Sequence, residues 1–142
     1  MQKASVPESG RPLRIVLAPS AQRDIRQVLI WSQDRFGERA AARYRDLLKQ
    51  ALRDIAADPE RPGSQERRGL ARGIRTYHLF FSRDRARGDM GAVRKPRHFL
   101  IYRRRGETVI DVVRVPHDVR DLERHLPEDY RRGSDLPDLD EN

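Results

Sequence analysis

Two side chains at the end of one apolar run, Arg114 and His117 in Arg114-Val115-Pro116-His117, are of the types that phosphoryl chemistry uses. Cleaving a phosphodiester needs a base or an oriented 2′-hydroxyl, a cation to clamp the phosphorane, and an acid for the leaving oxygen. Arg75 and Arg114 supply cations on strand-like segments, and His117 supplies a group of the kind that serves as general acid or base. These three are the catalytic candidates, and the set is incomplete. A plainer reading competes at each position. His117 either acts on the face a target meets, or caps the strand and satisfies Asp118 and Asp121, which is the commoner use of such a histidine. Arg75 and Arg114 either line a solvated face or pair with Asp111 and other carboxylates; a solvated face is expected, because helices cover only one side of a small antiparallel sheet. Arg103-Arg104-Arg105 reads as a solvated turn or as a ridge that follows phosphates. Together with Tyr102 and Arg120, the residues Arg75, Arg103, Arg114 and His117 form the expected target- or partner-binding surface.

Other chemistries find little footing. The chain has no cysteine, which removes disulfides, thiol redox chemistry and cysteine-based zinc sites. His78, His98 and His125 show no metal-ligand spacing. Gly88-Asp89-Met90-Gly91 lacks the following Lys-Ser/Thr and helix of a phosphate-cradling loop. No metal or cofactor is expected. Tyr44, Tyr77 and Tyr102 read as core or rim aromatics, Trp31 as an anchor of helix to sheet, and Asp24 and Asp34 as surface acids.

The elements that must position these residues are an α+β set: an N-terminal helical hairpin on a small antiparallel sheet. Leu13 to Leu17 alternate as a short strand, and Ala18-Pro19-Ser20-Ala21 switches the chain to a helix. Ala21, Ile25, Val28, Leu29 and Ser32 recur at helical spacing, and Gly37 ends that helix. A second helix over 38–57 presents Ala40, Tyr44, Leu47, Leu48, Ala51, Leu52 and Ile55, then stops at Asp58-Pro59. Strands are expected over 73–81, 99–103 and 108–115, with Arg105-Gly106-Glu107 as the turn between the last two. Residues 82–98 form an enlarged charged loop, and 118–126 a short helical turn through Val119, Leu122 and Leu126. Residues 1–12 read as a disordered leader, 13–127 as one domain, and 128–142 as an acidic disordered tail.

The chain has 142 residues and a net charge of +8, with 30 basic against 22 acidic residues. Because Glu128, Asp129, Asp135, Asp138, Asp140 and Glu141 all follow Pro127, the central domain is more basic than the whole. Such a field implies a polyanionic or acidic partner. No stretch approaches the roughly 18 apolar residues that span a bilayer, so no membrane partner is expected and the cytoplasm is the expected compartment.

Several local strings, in their order and spacing, carry a family likeness across 15–126. They are Leu17-Ala18-Pro19-Ser20-Ala21-Gln22-Arg23-Asp24-Ile25, Ala41-Ala42-Arg43-Tyr44 and Ile55-Ala56-Ala57-Asp58-Pro59. They continue in Gly69-Leu70-Ala71-Arg72-Gly73-Ile74-Arg75, Phe99-Leu100-Ile101-Tyr102-Arg103 and Val112-Val113-Arg114-Val115-Pro116-His117-Asp118-Val119-Arg120-Asp121. With these the chain resembles the RelE/ParE superfamily of type II toxin–antitoxin systems, on the ParE side. The resemblance implies a toxin that inhibits DNA gyrase by binding, paired with a cognate antitoxin in a hetero-oligomer. RelE-like members instead cut mRNA on the ribosome, with an Arg before the 100–102 strand, another past the last strand and a C-terminal Tyr. This chain has His98 or Phe99, Asp118 and Arg124 there, so the ParE branch fits better and an endoribonuclease is the alternative. A non-toxic, basic nucleic-acid-binding module is the third reading. The segment 82–98 departs from the family's tight turn.

Overall fold

The computed structural model describes residues 11–86, 88 and 91–118. Residues 1–10 of the expected leader over 1–12, the expected helical turn over 118–126 apart from Asp118, the expected acidic tail and Arg120 lie outside the described residues. Strand β1 (Arg14–Leu17) leads into α1 (Pro19–Phe36), where Pro19 takes an early position at which a missing N–H costs nothing. Gly37, at φ +94°, closes α1 through its N–H to the Gln33 carbonyl and opens α2 (Glu38–Ala57). A side chain there would be strained, so one residue suffices to turn the helical hairpin. Strands β2 (Ser64–Glu66), β3 (Ile74–His78), β4 (Phe99–Arg105) and β5 (Val109–Arg114) complete the sheet, in the order β1-β5-β4-β3-β2.

The α+β architecture is as expected, with two differences in the sheet: the short strand β2, which no apolar alternation marks, and the direction of β1. β2, β3, β4 and β5 pair antiparallel, whereas β1 lies parallel to β5, from Arg14 opposite Val109 to Leu17 opposite Val112. The helical hairpin follows β1 and carries the chain away, leaving β1 to bond the last strand instead of a sequence neighbour. On the helix-covered face Tyr44, Leu47, Leu48, Ala51 and Ile55 of α2 pack on Tyr77, Leu100, Tyr102, Ile110 and Val112. On the other face a smaller cluster of Ala71, Ile74, Ile101 and Val113 is roofed by Leu70.

Four local expectations change. β3 stops at His78, because Leu79–Ser82 winds into a 3-10 turn whose Phe80 N–H donates to His78 Nδ1 at 2.9 Å. β4 runs to Arg105, so Arg103 is a strand residue and not part of a solvated turn. Arg75 does not face solvent across the sheet: it sits opposite Tyr102 and shares that residue's helix-covered side. Of the expected loop over 82–98, Ser82 closes the 3-10 turn and the other described residues are irregular, as expected, but Ala86 and Val93 pack against the main core and Arg83 reaches across to the Arg94 carbonyl at 2.7 Å.

Arg103 is only 2% exposed, and its Nε and one terminal nitrogen have no hydrogen-bond partner. Its cross-strand neighbour Asp111 is already held by Arg105, at 2.7 and 2.9 Å. A buried cation without hydrogen bonds costs stability, and removing it here orphans no carboxylate. Arg103→Met is therefore expected to leave the urea midpoint unchanged or to raise stability by up to about 1 kcal/mol. A loss of more than about 1 kcal/mol would show that the guanidinium contributes net stability.

Candidate binding site at the helical hairpin

The C-terminal half of α1, the start of α2 and residues 91–97 enclose a groove of about 520 Å³. Its apolar surface comes from Trp31, Phe36, Ala40, Tyr44 and Val93. Its charged residues among those described are Arg43, Arg94, Lys95 and Arg97, and no described acidic side chain lines it. Phe36 is 65% exposed, stacked edge-on against Trp31 at 5.7 Å between ring centres. Such a surface receives an apolar side chain and attracts carboxylates around it.

Trp31 also borders a smaller cleft, about 290 Å³, whose polar residues are Asp24, Gln27, His98, Arg114 and His117. Between Ile101 and Tyr102 the β4–β5 register slips by one residue, an irregularity of the kind that re-aims a side chain. Arg114 turns to α1 there, and its Nε and a terminal nitrogen donate to the Asp24 carboxylate at 2.6 and 3.1 Å. The Val115 N–H donates to the same carboxylate at 2.9 Å. Asp24 is thus no surface acid: it is buried and fastens α1 to the end of β5.

His98 sits behind the cleft, buried, with its ring 5.5 Å from His117 and 6.1 Å from Trp31. The Tyr44 hydroxyl accepts the Arg97 N–H at 2.9 Å and is hydrogen-bonded to His98 Nδ1, 2.7 Å away. Burial, with His117 adding to it, pushes the His98 pKa down to about 4. Its neutral form is the folded form, so the unfolded chain takes up a proton first as pH falls. Stability from this residue is full above pH 6.5 and lost as pH drops toward 4, amounting to about 2 kcal/mol by pH 5. His78, lowered by burial, acts in the same direction. Urea titrations at pH 7 and pH 5 should show this loss in the native chain and a smaller one in His98→Gln; equal slopes would refute the assignment.

Among the residues marked from sequence, Arg114 and His117 share the cleft, and Arg75 does not join them. Arg75 lies two strands away, about 10 Å across the sheet, and its Nε donates to the Ser64 hydroxyl at 2.7 Å. Ser64 also meets the Tyr102 hydroxyl at 2.5 Å, and Tyr102 donates to the Pro59 carbonyl at 2.5 Å. Burial drives the Tyr102 pKa up to about 12, and the side chain is wholly enclosed. Tyr102 and Arg103 are therefore interior groups and not contact residues on this surface. His117 is exposed, 3.9 Å from Asp118 through Nδ1. Asp24, Tyr44 and His98 were not marked by sequence reasoning. One signal existed: Asp24 falls on the helical spacing of Ala21 and Val28.

What the arrangement can do follows from these pairings. Arg114 is committed to Asp24, and His98 is held neutral, so the cleft offers shape and hydrogen-bond donors more than a free cation. Among the described residues no group of three His, Asp or Glu side chains could hold a metal, and no described helix is long and apolar enough to cross a membrane.

Comparison with known proteins agrees with this architecture. A model of the family described as ParE toxin of type II toxin–antitoxin system, parDE, matches residues 15–122. The chain is 32% identical over 113 residues to Toxin ParE1 of Mycobacterium tuberculosis (strain CDC 1551 / Oshkosh), covering 80% of this chain and 97% of that protein. The same identity and coverage hold for Toxin ParE1 of strain ATCC 25618 / H37Rv.

Proposed function

The chain belongs to the ParE toxin family of type II toxin–antitoxin systems, and from that premise we propose that it inhibits DNA gyrase by binding and is neutralised by a cognate antitoxin. The observation that supports binding over cleavage is the state of Arg114. A phosphoryl-transfer site needs a cation free to meet the developing charge, and this guanidinium is already clamped by Asp24 at 2.6 Å. Arg75, the other cation of the candidate set, is held two strands away by Ser64. Toxin and target would meet in the cytoplasm. The antitoxin's part in the complex suits the groove: an acidic segment with apolar side chains, folding as it binds, matches the aromatic floor and cationic rim.

A second reading, the ribosome-dependent endoribonuclease, draws on one observation: His98 and His117 face each other at 5.5 Å beside Arg114. Induction of the protein in a bacterial host separates the two. Inhibition of gyrase is expected to give early loss of negative supercoiling and protein-linked DNA breaks while translated mRNA stays intact. Cleaved mRNA with normal supercoiling, abolished by His117→Ala, would overturn the gyrase reading in favour of the nuclease.

A further inference from the structure

We propose that the groove at Trp31 is an interaction surface for a segment of this chain itself, residues 134–142. Among the described residues, the groove joins an aromatic and aliphatic surface to four basic residues and has no acidic lining residue. Among the described residues, Arg94, Lys95 and Arg97 have no ion-pair partner in the folded domain. A cationic rim around an apolar pocket selects a ligand with the inverse pattern. Ser134-Asp135-Leu136-Pro137-Asp138-Leu139-Asp140-Glu141-Asn142 has that pattern: two leucines three residues apart, four acidic residues and no basic one. Leu136 and Leu139 fill the space between Trp31, Phe36 and Val93, and the carboxylates face Arg94, Lys95 and Arg97.

The place where the described chain ends makes this contact reachable. Asp118 follows His117, whose ring lies against His98, which in turn lies against Trp31 at the groove. The eighteen residue steps from Asp118 to Leu136 reach up to about 60 Å when extended, far more than the two ring contacts that separate the exit from the groove. A tether of this kind supplies an effective concentration of about 1 mM, so even a weak complementary contact is occupied within the chain. The inference does not depend on which target the protein attacks. A partner whose acidic, leucine-bearing segment uses the same groove has to displace residues 134–142 first.

Trp31 is the chain's single tryptophan and lines the groove, so its fluorescence reports occupancy directly. The full chain is compared with the full-length double variant Leu136→Asp/Leu139→Asp at low micromolar concentration. Acrylamide should quench Trp31 about twice as efficiently in the variant, and about 0.5 M salt should bring the native chain toward the same value. A synthetic peptide of residues 134–142 should protect Trp31 in the variant and bind the native chain about tenfold more weakly, because the native groove is filled. Arg94→Glu/Lys95→Glu should reproduce the exposed state, with the thermal midpoint reporting that the fold persists. Equal quenching in the native chain and the leucine variant overturns the proposal. Protection that grows with protein concentration also overturns it, since a second copy would then be the occupant.

Discussion

Replacing Asp24 with alanine lowers the thermal midpoint by about 10 °C, equivalent to about 3 kcal/mol in a domain of this size. The carboxylate accepts three hydrogen bonds, two from Arg114 at 2.6 and 3.1 Å and one from the Val115 N–H at 2.9 Å. All of them cross from α1 to the end of β5, 90 or 91 residues later in the chain. Alanine deprives a largely covered guanidinium and a buried N–H of the carboxylate they share, and losing it costs more than the pair itself contributes. Asp24→Asn keeps one acceptor and should lose about half as much. The double variant Asp24→Ala/Arg114→Met tests the cause, because it removes the stranded charge along with its partner. It should recover about 1–2 kcal/mol relative to Asp24→Ala. If the double variant is less stable than the single one, the stranded charge is not what destabilises, and Arg114 contributes through packing instead.

The contrast between what could be read from sequence and what could not has one physical root: periodicity reports which side of an element is buried, not what lies opposite. The bounds of α2 were legible because Ala40, Tyr44, Leu47, Ala51 and Ile55 repeat at helical spacing and Pro59 follows. The β4–β5 hairpin was legible through its turn residues, whereas β2 was not. Ser64-Gln65-Glu66 has no apolar alternation and is a strand only because β3 offers it backbone partners. The parallel seat of β1 beside β5 is equally silent, since neither strand encodes the other's direction. At the site, Arg114 and His117 were placed in their own neighbourhood, but their partners came from α1 and from residue 98. The two acids that matter most, Asp24 and Asp54, each occupy an apolar position in a helical repeat. A charged residue in that position signals a buried partner elsewhere.

Asp54 makes the stronger case. It lies on α2 between Ala51 and Ile55 and is 2% exposed. One oxygen accepts the Ser82 hydroxyl at 2.6 Å; the other accepts Gln50 at 2.9 Å and faces Arg61 and Arg85, each at 3.3 Å. Because Ser82 spends its proton on Asp54, it must accept from Tyr77, 2.8 Å away, which extends the network onto β3. One carboxylate therefore ties the helix to the loop after it, to the 3-10 turn and to the start of residues 83–97. Asp54→Ala should cost about 4 kcal/mol, the upper part of the range for breaking a buried charged network. Ser82→Ala, which removes one donor and leaves the carboxylate three other partners, should cost about 1 kcal/mol. Hydrogen exchange separates a local from a global effect. In Asp54→Ala the amides of the 3-10 turn and of Arg85 and Ala86 should lose protection beyond the drop in overall stability, while those of β4 and β5 lose only that drop. Uniform loss across the sheet would mean that Asp54 holds the core together and does not fasten the groove's far wall to it.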